Sequence, residues 1–148
     1  MSNLIKCVFL ADDETDDRAL FEDALREISI ETSLTTTKNG EELMTILDTT
    51  IPPPPHIIFL DLNMPRKNGF ECLAEIRAAD KLKNIPVVFF STSSDNASVD
   101  KVYEQGADYY IHKPDSFPKL IDAISKILAI NWEIHTTQPS REEFLLTF

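Results

Sequence analysis

Positive charge is scarce in this chain: 14 lysines and arginines stand against 25 aspartates and glutamates, giving a formal net charge of −11. A field of that sign repels nucleic acid and anionic membrane surfaces, which argues against direct DNA binding and leaves protein partners and divalent cations. Long apolar runs are missing too; the stretches present are strand-length, well short of the roughly 20 residues of a membrane span. No charged-then-apolar leader opens the chain, because Lys6 and Asp12 bracket only "CVFLA". Cysteine is limited to Cys7 and Cys72, which lack metal-binding spacing and sit in apolar-patterned segments. The expectation is two buried, reduced thiols of a cytoplasmic protein and no disulfide. Internal repeats are absent. What remains is a 148-residue chain, 43% hydrophobic and 26% charged, which suits one globular domain with a substantial core.

Strand-length apolar runs alternate with helical periodicity along that chain. "IKCVFLA" (Ile5–Ala11) predicts a first strand, and Leu20, Phe21, Ala24, Leu25 and Ile28 mark one face of a helix over Asp16–Ile28. The β-branched "SLTTT" (Ser33–Thr37) predicts a second strand. Asn39, with Glu42 three residues on, caps a helix through Leu47. "PPPP" (Pro52–Pro55) forms a stiff extended connector to the strand "HIIFLD". A helix over Gly69–Ala79 follows, then "VVFFS" as strand four after Pro86, and a helix over Ala97–Gln105 stopped by Gly106. "DYYIHK" supplies strand five and Ser116–Ile130 the last helix. Five strands alternating with five helices imply an α/β fold, a doubly wound parallel sheet covered on both faces. In such sheets the ligand site lies beyond the carboxyl ends of the strands.

Those ends carry chemistry. Strand one runs into Asp12 and Asp13, strand three into Asp61 with Asn63 beyond it, strand four into Ser91 and Thr92, and strand five into Lys113 and Pro114. Singly, each has an ordinary explanation as a solvated turn residue, a local hydrogen-bonding hydroxyl or a surface lysine. Jointly, three carboxylates, a hydroxyl and an ammonium converge on one sheet edge. Like charges about 4 Å apart, at an effective dielectric of about 20, repel by about 4 kcal/mol, so the carboxylates need compensation. Lys113 supplies one positive charge and Mg²⁺, with its preference for oxygen ligands, would supply the rest. Asp13 and Asp61 are the expected direct ligands, Asp12 one acting through water, and the Asn63 backbone carbonyl a further one. Such a site suits phosphoryl transfer onto Asp61 as nucleophile, with Lys113 and the Ser91 hydroxyl on the phosphoryl oxygens.

The stretches "ADD" at 11–13, "FLDLNMPRKNG" at 59–69, "IPVVFFSTS" at 85–93 and "YYIHKP" at 109–114 resemble the receiver domain of two-component response regulators. The resemblance covers residues 4–130. It implies a flavodoxin-like five-stranded sheet in the order 2-1-3-4-5 with five helices. It implies Asp61 as phospho-acceptor from a histidine kinase or histidine phosphotransfer protein, Asp12 and Asp13 as the acidic Mg²⁺ pair, and Lys113 as the phosphate partner. Counting from Pro86 makes Ser91, not Thr92, the switch hydroxyl, and counting back from Lys113 makes Tyr110 the switch aromatic, expected to swing inward as Ser91 moves to the phosphate. A cis Lys113–Pro114 bond is also implied. Phosphorylation would bias the helix 4, strand 5, helix 5 face, a surface for a downstream protein or a homodimer.

Only a short segment, 131–148, follows the last helix, too short for a DNA-binding module. That places the resemblance nearest to single-domain response regulators, including those paired with bacteriophytochrome kinases. The segment itself reads as a turn and a short amphipathic helix over Arg141–Leu146, either covering a dimer surface or trailing as a tail. Rival readings are weaker. A haloacid-dehalogenase-type phosphatase would want a second aspartate where Asn63 stands. A flavodoxin-like cofactor binder would not place the acidic "DDETDD" where a phosphate must sit. A phosphorylation-independent receiver-like interaction module would need a missing site residue, and none is missing.

Overall fold

Strands that are apolar on every residue have no face to give to water, so the chain must cover both sides of its sheet. In the computed structural model, which describes residues 5–49, 55–93, 95–132 and 137–148, it does so with helices. The order is β1 (Lys6–Ala11), α1 (Thr15–Arg26), β2 (Thr32–Thr37), α2 (Gly40–Thr49), β3 (Ile57–Leu60), α3 (Gly69–Ala78), β4 (Val87–Ser91), α4 (Asn96–Glu104), β5 (Tyr109–His112), α5 (Phe117–Leu128), α6 (Arg141–Phe144) and β6 (Leu145–Leu146). All pairings are parallel, in the order β2-β1-β3-β4-β5-β6. The expected 2-1-3-4-5 arrangement is therefore present, extended by a strand that the sequence did not predict. Of the proline connector, Pro52–Pro54 lie outside the described residues, as does Leu4 at the expected start of the domain.

Strand alternation divides the core into two layers. Val8, Leu10, Ile57, Phe59, Val88, Phe90 and Ile111 point to one face, where Phe21 and Leu25 of α1 and Leu120, Ile124 and Ile127 of α5 cover them. Phe9, Ile58, Leu60, Val87, Phe89 and Tyr110 point to the other, beneath Leu43 of α2, Leu73 and Ile76 of α3 and Val99 and Val102 of α4. Local signals set most boundaries. The Asn39 side chain accepts from the Glu42 N–H at 2.7 Å, as its spacing predicted. Asn68 and Glu71 close a reciprocal capping box at the start of α3. After α4, Gly106 takes φ 94°, a left-handed position that costs glycine least.

The carboxyl-terminal segment departs from expectation. Helix α6 is a single turn capped by Ser140, and Leu145 and Leu146 leave it to pair with Tyr110 and Ile111 of β5. A six-residue helix gains little from its own hydrogen bonds, whereas the free edge of β5 offers unpaired backbone groups. Phe144 is fully buried and meets the Tyr103 ring at a centroid distance of 5.0 Å and the Tyr110 ring at 6.4 Å. Further anchors are Tyr103 Oη to the Pro139 carbonyl at 2.8 Å and Gln138 Nε2 to the Ala107 carbonyl at 2.6 Å. The segment thus lies on the helix 4, strand 5 side of the domain as part of its sheet.

Candidate phosphoryl-acceptor site

Asp12, Asp61 and Lys113 are each placed by one more backbone hydrogen bond past a strand end. The Asp12 N–H donates to the Thr37 carbonyl at 3.0 Å, Asp61 to Ala11 at 2.9 Å and Lys113 to Ser91 at 2.9 Å. The ladder thereby delivers residues distant in sequence to one edge. Carboxylate oxygens of Asp12, Asp13 and Asp61 lie within 4.8 Å of one another, Asp12 and Asp61 buried and Asp13 exposed. The loop leaving Asp61 is held tight by the Gly69 N–H donating to the Leu62 carbonyl at 2.8 Å. A Cβ at Gly69 would fall 2.6 Å from the Asp61 carbonyl oxygen and 2.8 Å from the Phe89 ring, so the approach requires glycine.

Burial and charge compete at Asp61. Its Oδ1 accepts from the Leu62 N–H at 2.7 Å, and its Oδ2 lies 3.4 Å from Lys113 Nζ. Burial pushes its pKa from 3.8 up to about 6, Lys113 opposing the rise and Asp12 adding to it. Burial also works against the Lys113 ammonium, but pairing with Asp17 and Asp12 outweighs it and holds the group above the ordinary lysine range. The contacts run 2.8 Å to Asp17 Oδ2, 2.9 Å to Asp12 Oδ2 and 3.4 Å to Asp61 Oδ2. Asp12 is oriented by the Glu14 N–H on its Oδ1 at 3.0 Å, and Arg18 binds its backbone carbonyl at 2.7 Å. Asp12 Oδ2 is buried, with the Lys113 ammonium 2.9 Å away.

That oxygen and the all-oxygen donor set around it fit a hard divalent cation, which keeps several waters and takes few protein ligands. The Asn63 side chain is engaged elsewhere, its Nδ2 donating to Ser93 Oγ at 3.0 Å. Ser91 is buried at the end of β4, where its Oγ accepts from the Ser93 N–H at 3.2 Å, while Thr92 is exposed. The Tyr110 ring lies inward, fully buried and stacked on Phe89 at 5.9 Å, and its hydroxyl donates to the Ser93 carbonyl. Ser93 thus joins Ser91, Tyr110 and Asn63, each through a different group.

Two of these participants escape a reading of the sequence. Asp17 hides in the run "DDETDDR", where every residue but the threonine is charged and only helix phase singles it out. Counting four residues from Asp13 would have placed it one turn into α1, beneath the sheet edge. Ser93 lies in a loop without periodicity, and no local signal marks it.

A parallel doubly wound sheet presenting an acidic cluster and a lysine at its carboxyl edge defines an α/β cation- and phosphate-type site. The family model described as response regulator receiver domain matches residues 8–125, and the chain belongs to that family. Among curated relatives it is 33% identical over 130 residues to the response regulator Rcp1 of Synechocystis sp., covering 85% of this chain and 88% of the relative. Among solved structures it is similar to the phosphorylated cyanobacterial phytochrome response regulator RcpA, with 33% identity and a TM-score of 0.80 over 93% of this chain and all of that one. It also resembles the Mn²⁺-bound form of response regulator Rcp1, at 32% identity and a TM-score of 0.76, over 91% of this chain and 99% of the other. The bacteriophytochrome response regulator RtBRR aligns at 28% identity with a TM-score of 0.73, over 93% and 86% of the two chains. Cys7 and Cys72 are both free thiols, Cys7 half-buried and Cys72 fully buried with its pKa pushed up to about 12 by that burial. Among the described residues, no helix is long and apolar enough to cross a membrane.

Proposed function

We propose that this protein is a signalling phospho-acceptor in which Asp61 takes a phosphoryl group from the phosphohistidine of a histidine kinase or phosphotransfer protein. The observation that carries the reading is Asp61 itself: a buried carboxylate with one oxygen fixed by the Leu62 N–H and the other facing Lys113, beside Asp12 and Asp13. In the transfer, an Asp61 oxygen forms the new bond to phosphorus as the phosphorus–nitrogen bond breaks, and the donor imidazole keeps the electron pair. The Leu62 N–H holds the spectator oxygen and so directs the other outward. Lys113 neutralises charge on the phosphoryl oxygens, and Ser91, at the end of the adjacent strand, donates its hydroxyl to one of them. Asp12, Asp13, Asp61 and the Asn63 carbonyl would hold Mg²⁺, which when bound supplies charge neutralisation and orients the phosphoryl oxygens. The protein does not turn over a substrate; it carries the phosphoryl group.

The output is a change in protein contacts. When Ser91 turns toward the phosphoryl group it abandons the Ser93 N–H, and Ser93 also holds the Tyr110 hydroxyl. The helix 4, strand 5, helix 5 face, edged here by β6, is the surface expected to respond and to bind a downstream protein or a second copy of the chain. Similarity to phytochrome response regulators supports a phytochrome-class histidine kinase as donor, in the cytoplasm. Incubation with acetyl phosphate should add one phosphoryl group by intact mass, in wild type with Mg²⁺ and neither with chelator nor in Asp61→Asn. Labelling of Asp61→Asn to the same extent would refute the assignment. Phosphotransfer profiling against purified kinases should favour the phytochrome class.

A further inference from the structure

The shortest contact of the Lys113 ammonium is to neither Asp61 nor Asp12. It is the hydrogen bond to Asp17 Oδ2, at 2.8 Å, from the first turn of α1. Lysine ends in a point charge on a flexible stem, and its usefulness to an incoming phosphoryl group depends on where its three N–H bonds aim. Here the ammonium is bounded by Asp17 on the α1 side, by Asp12 at 2.9 Å and by the Phe90 ring at 5.6 Å from its centroid, with Asp61 at 3.4 Å. One N–H is committed to Asp17, and the longest, loosest contact is the one toward the acceptor carboxylate.

We propose that Asp17 is the positioning residue for Lys113: its hydrogen bond fixes the ammonium so that a remaining N–H is aimed at the phosphoryl group on Asp61. The inference rests on the phospho-acceptor reading. The alternative is that Asp17 contributes only one more negative charge, which would hinder an incoming anion. Exposure decides between them. The Asp17 side chain is 33% exposed, against 1% for Asp12 and 8% for Asp61, so solvent and salt screen its field while the hydrogen bond keeps its direction. A preorganised donor is worth most where charge develops, and a ligand held out of line forfeits that benefit.

Two substitutions separate aim from charge. Asp17→Asn keeps an oxygen that can accept from Lys113 but removes the charge; Asp17→Ala removes both. Beryllofluoride affinity in saturating Mg²⁺ should fall about tenfold in Asp17→Ala and stay within about threefold of wild type in Asp17→Asn. The ¹⁵N-detected ammonium signal of Lys113, which reports immobilisation and not catalysis, should be sharp in wild type and Asp17→Asn and broadened in Asp17→Ala. Mg²⁺ affinity without anion should change by less than about twofold in both, because the effect passes through the lysine. Wild-type beryllofluoride binding and an unaltered Lys113 signal in Asp17→Ala would overturn the proposal. So would an equal gain in both variants, which marks the removal of a repelling charge, an equal loss in both, which shows that a neutral accepting oxygen does not hold the lysine, or a parallel loss of Mg²⁺ affinity, which marks a metal ligand. If wild type itself bound no beryllofluoride, the phospho-acceptor reading would fail, and the ammonium signal would still report whether Asp17 holds Lys113.

Discussion

Asp61 is buried, charged in use, and destabilised by both facts. Its pKa of about 6 in the folded protein lies above the ordinary 3.8, so between those values the folded state keeps a proton that the unfolded chain releases. Stability therefore falls as pH rises through that window, and the deficit is complete above it. Asp61→Asn should stabilise the protein by about 1–3 kcal/mol at pH 7.5 and by almost nothing at pH 4, read by urea unfolding at both pH values. Equal stability of the two proteins at pH 7.5 would mean that the buried charge is compensated more fully than its surroundings indicate. Gly69 gives a second test at this scale. In Gly69→Ala the methyl group would press on the Asp61 carbonyl and the Phe89 ring, with an expected cost of about 1–3 kcal/mol and weakened Mg²⁺ binding. At the level of single residues, the sequence revealed those that end strands, because a strand end predicts position without knowledge of packing. Asp12, Asp61, Ser91 and Lys113 belong to that set. Asp17 and Ser93 do not: one depends on the phase of a helix over the sheet, the other on how a loop folds back.

At the scale of elements, the first five strands and the five long helices were legible because apolar periodicity and caps are local. Strand β6 was not. Two leucines after one helical turn carry no strand signal of their own; they pair because β5 has a free edge and because Phe144 finds a site between Tyr103 and Tyr110. The segment therefore bears on the face that phosphorylation is expected to alter. Phe144→Ala should cost about 3 kcal/mol or more by leaving a cavity under α4, seen in thermal unfolding. It should also speed amide hydrogen exchange in Leu145 and Leu146 and along the β5 edge, while amides of β1 and β3 keep their protection. Uniform loss of protection across the sheet would instead show that β6 is part of one cooperative unit with the core.

The whole molecule carries its net charge of −11 unevenly, with three carboxylates gathered at one sheet edge. Relief of that repulsion links metal binding to folding. Mg²⁺ at about 100 times its dissociation constant should raise stability by about 2.7 kcal/mol, and Asp13→Ala should abolish most of the gain while leaving metal-free stability equal to or somewhat above that of wild type. A metal effect of the same size in Asp13→Ala would remove that carboxylate from the ligand set. The central claim, that Asp61 is where the phosphoryl group resides, is tested most directly by trapping it. Wild-type protein phosphorylated in Mg²⁺ is reduced with borohydride, which converts an acyl phosphate to an alcohol, and its peptides are mapped by mass spectrometry. The account predicts homoserine at position 61 and unmodified aspartate at positions 12, 13 and 17. Homoserine at any of those three positions, with residue 61 intact, would contradict it.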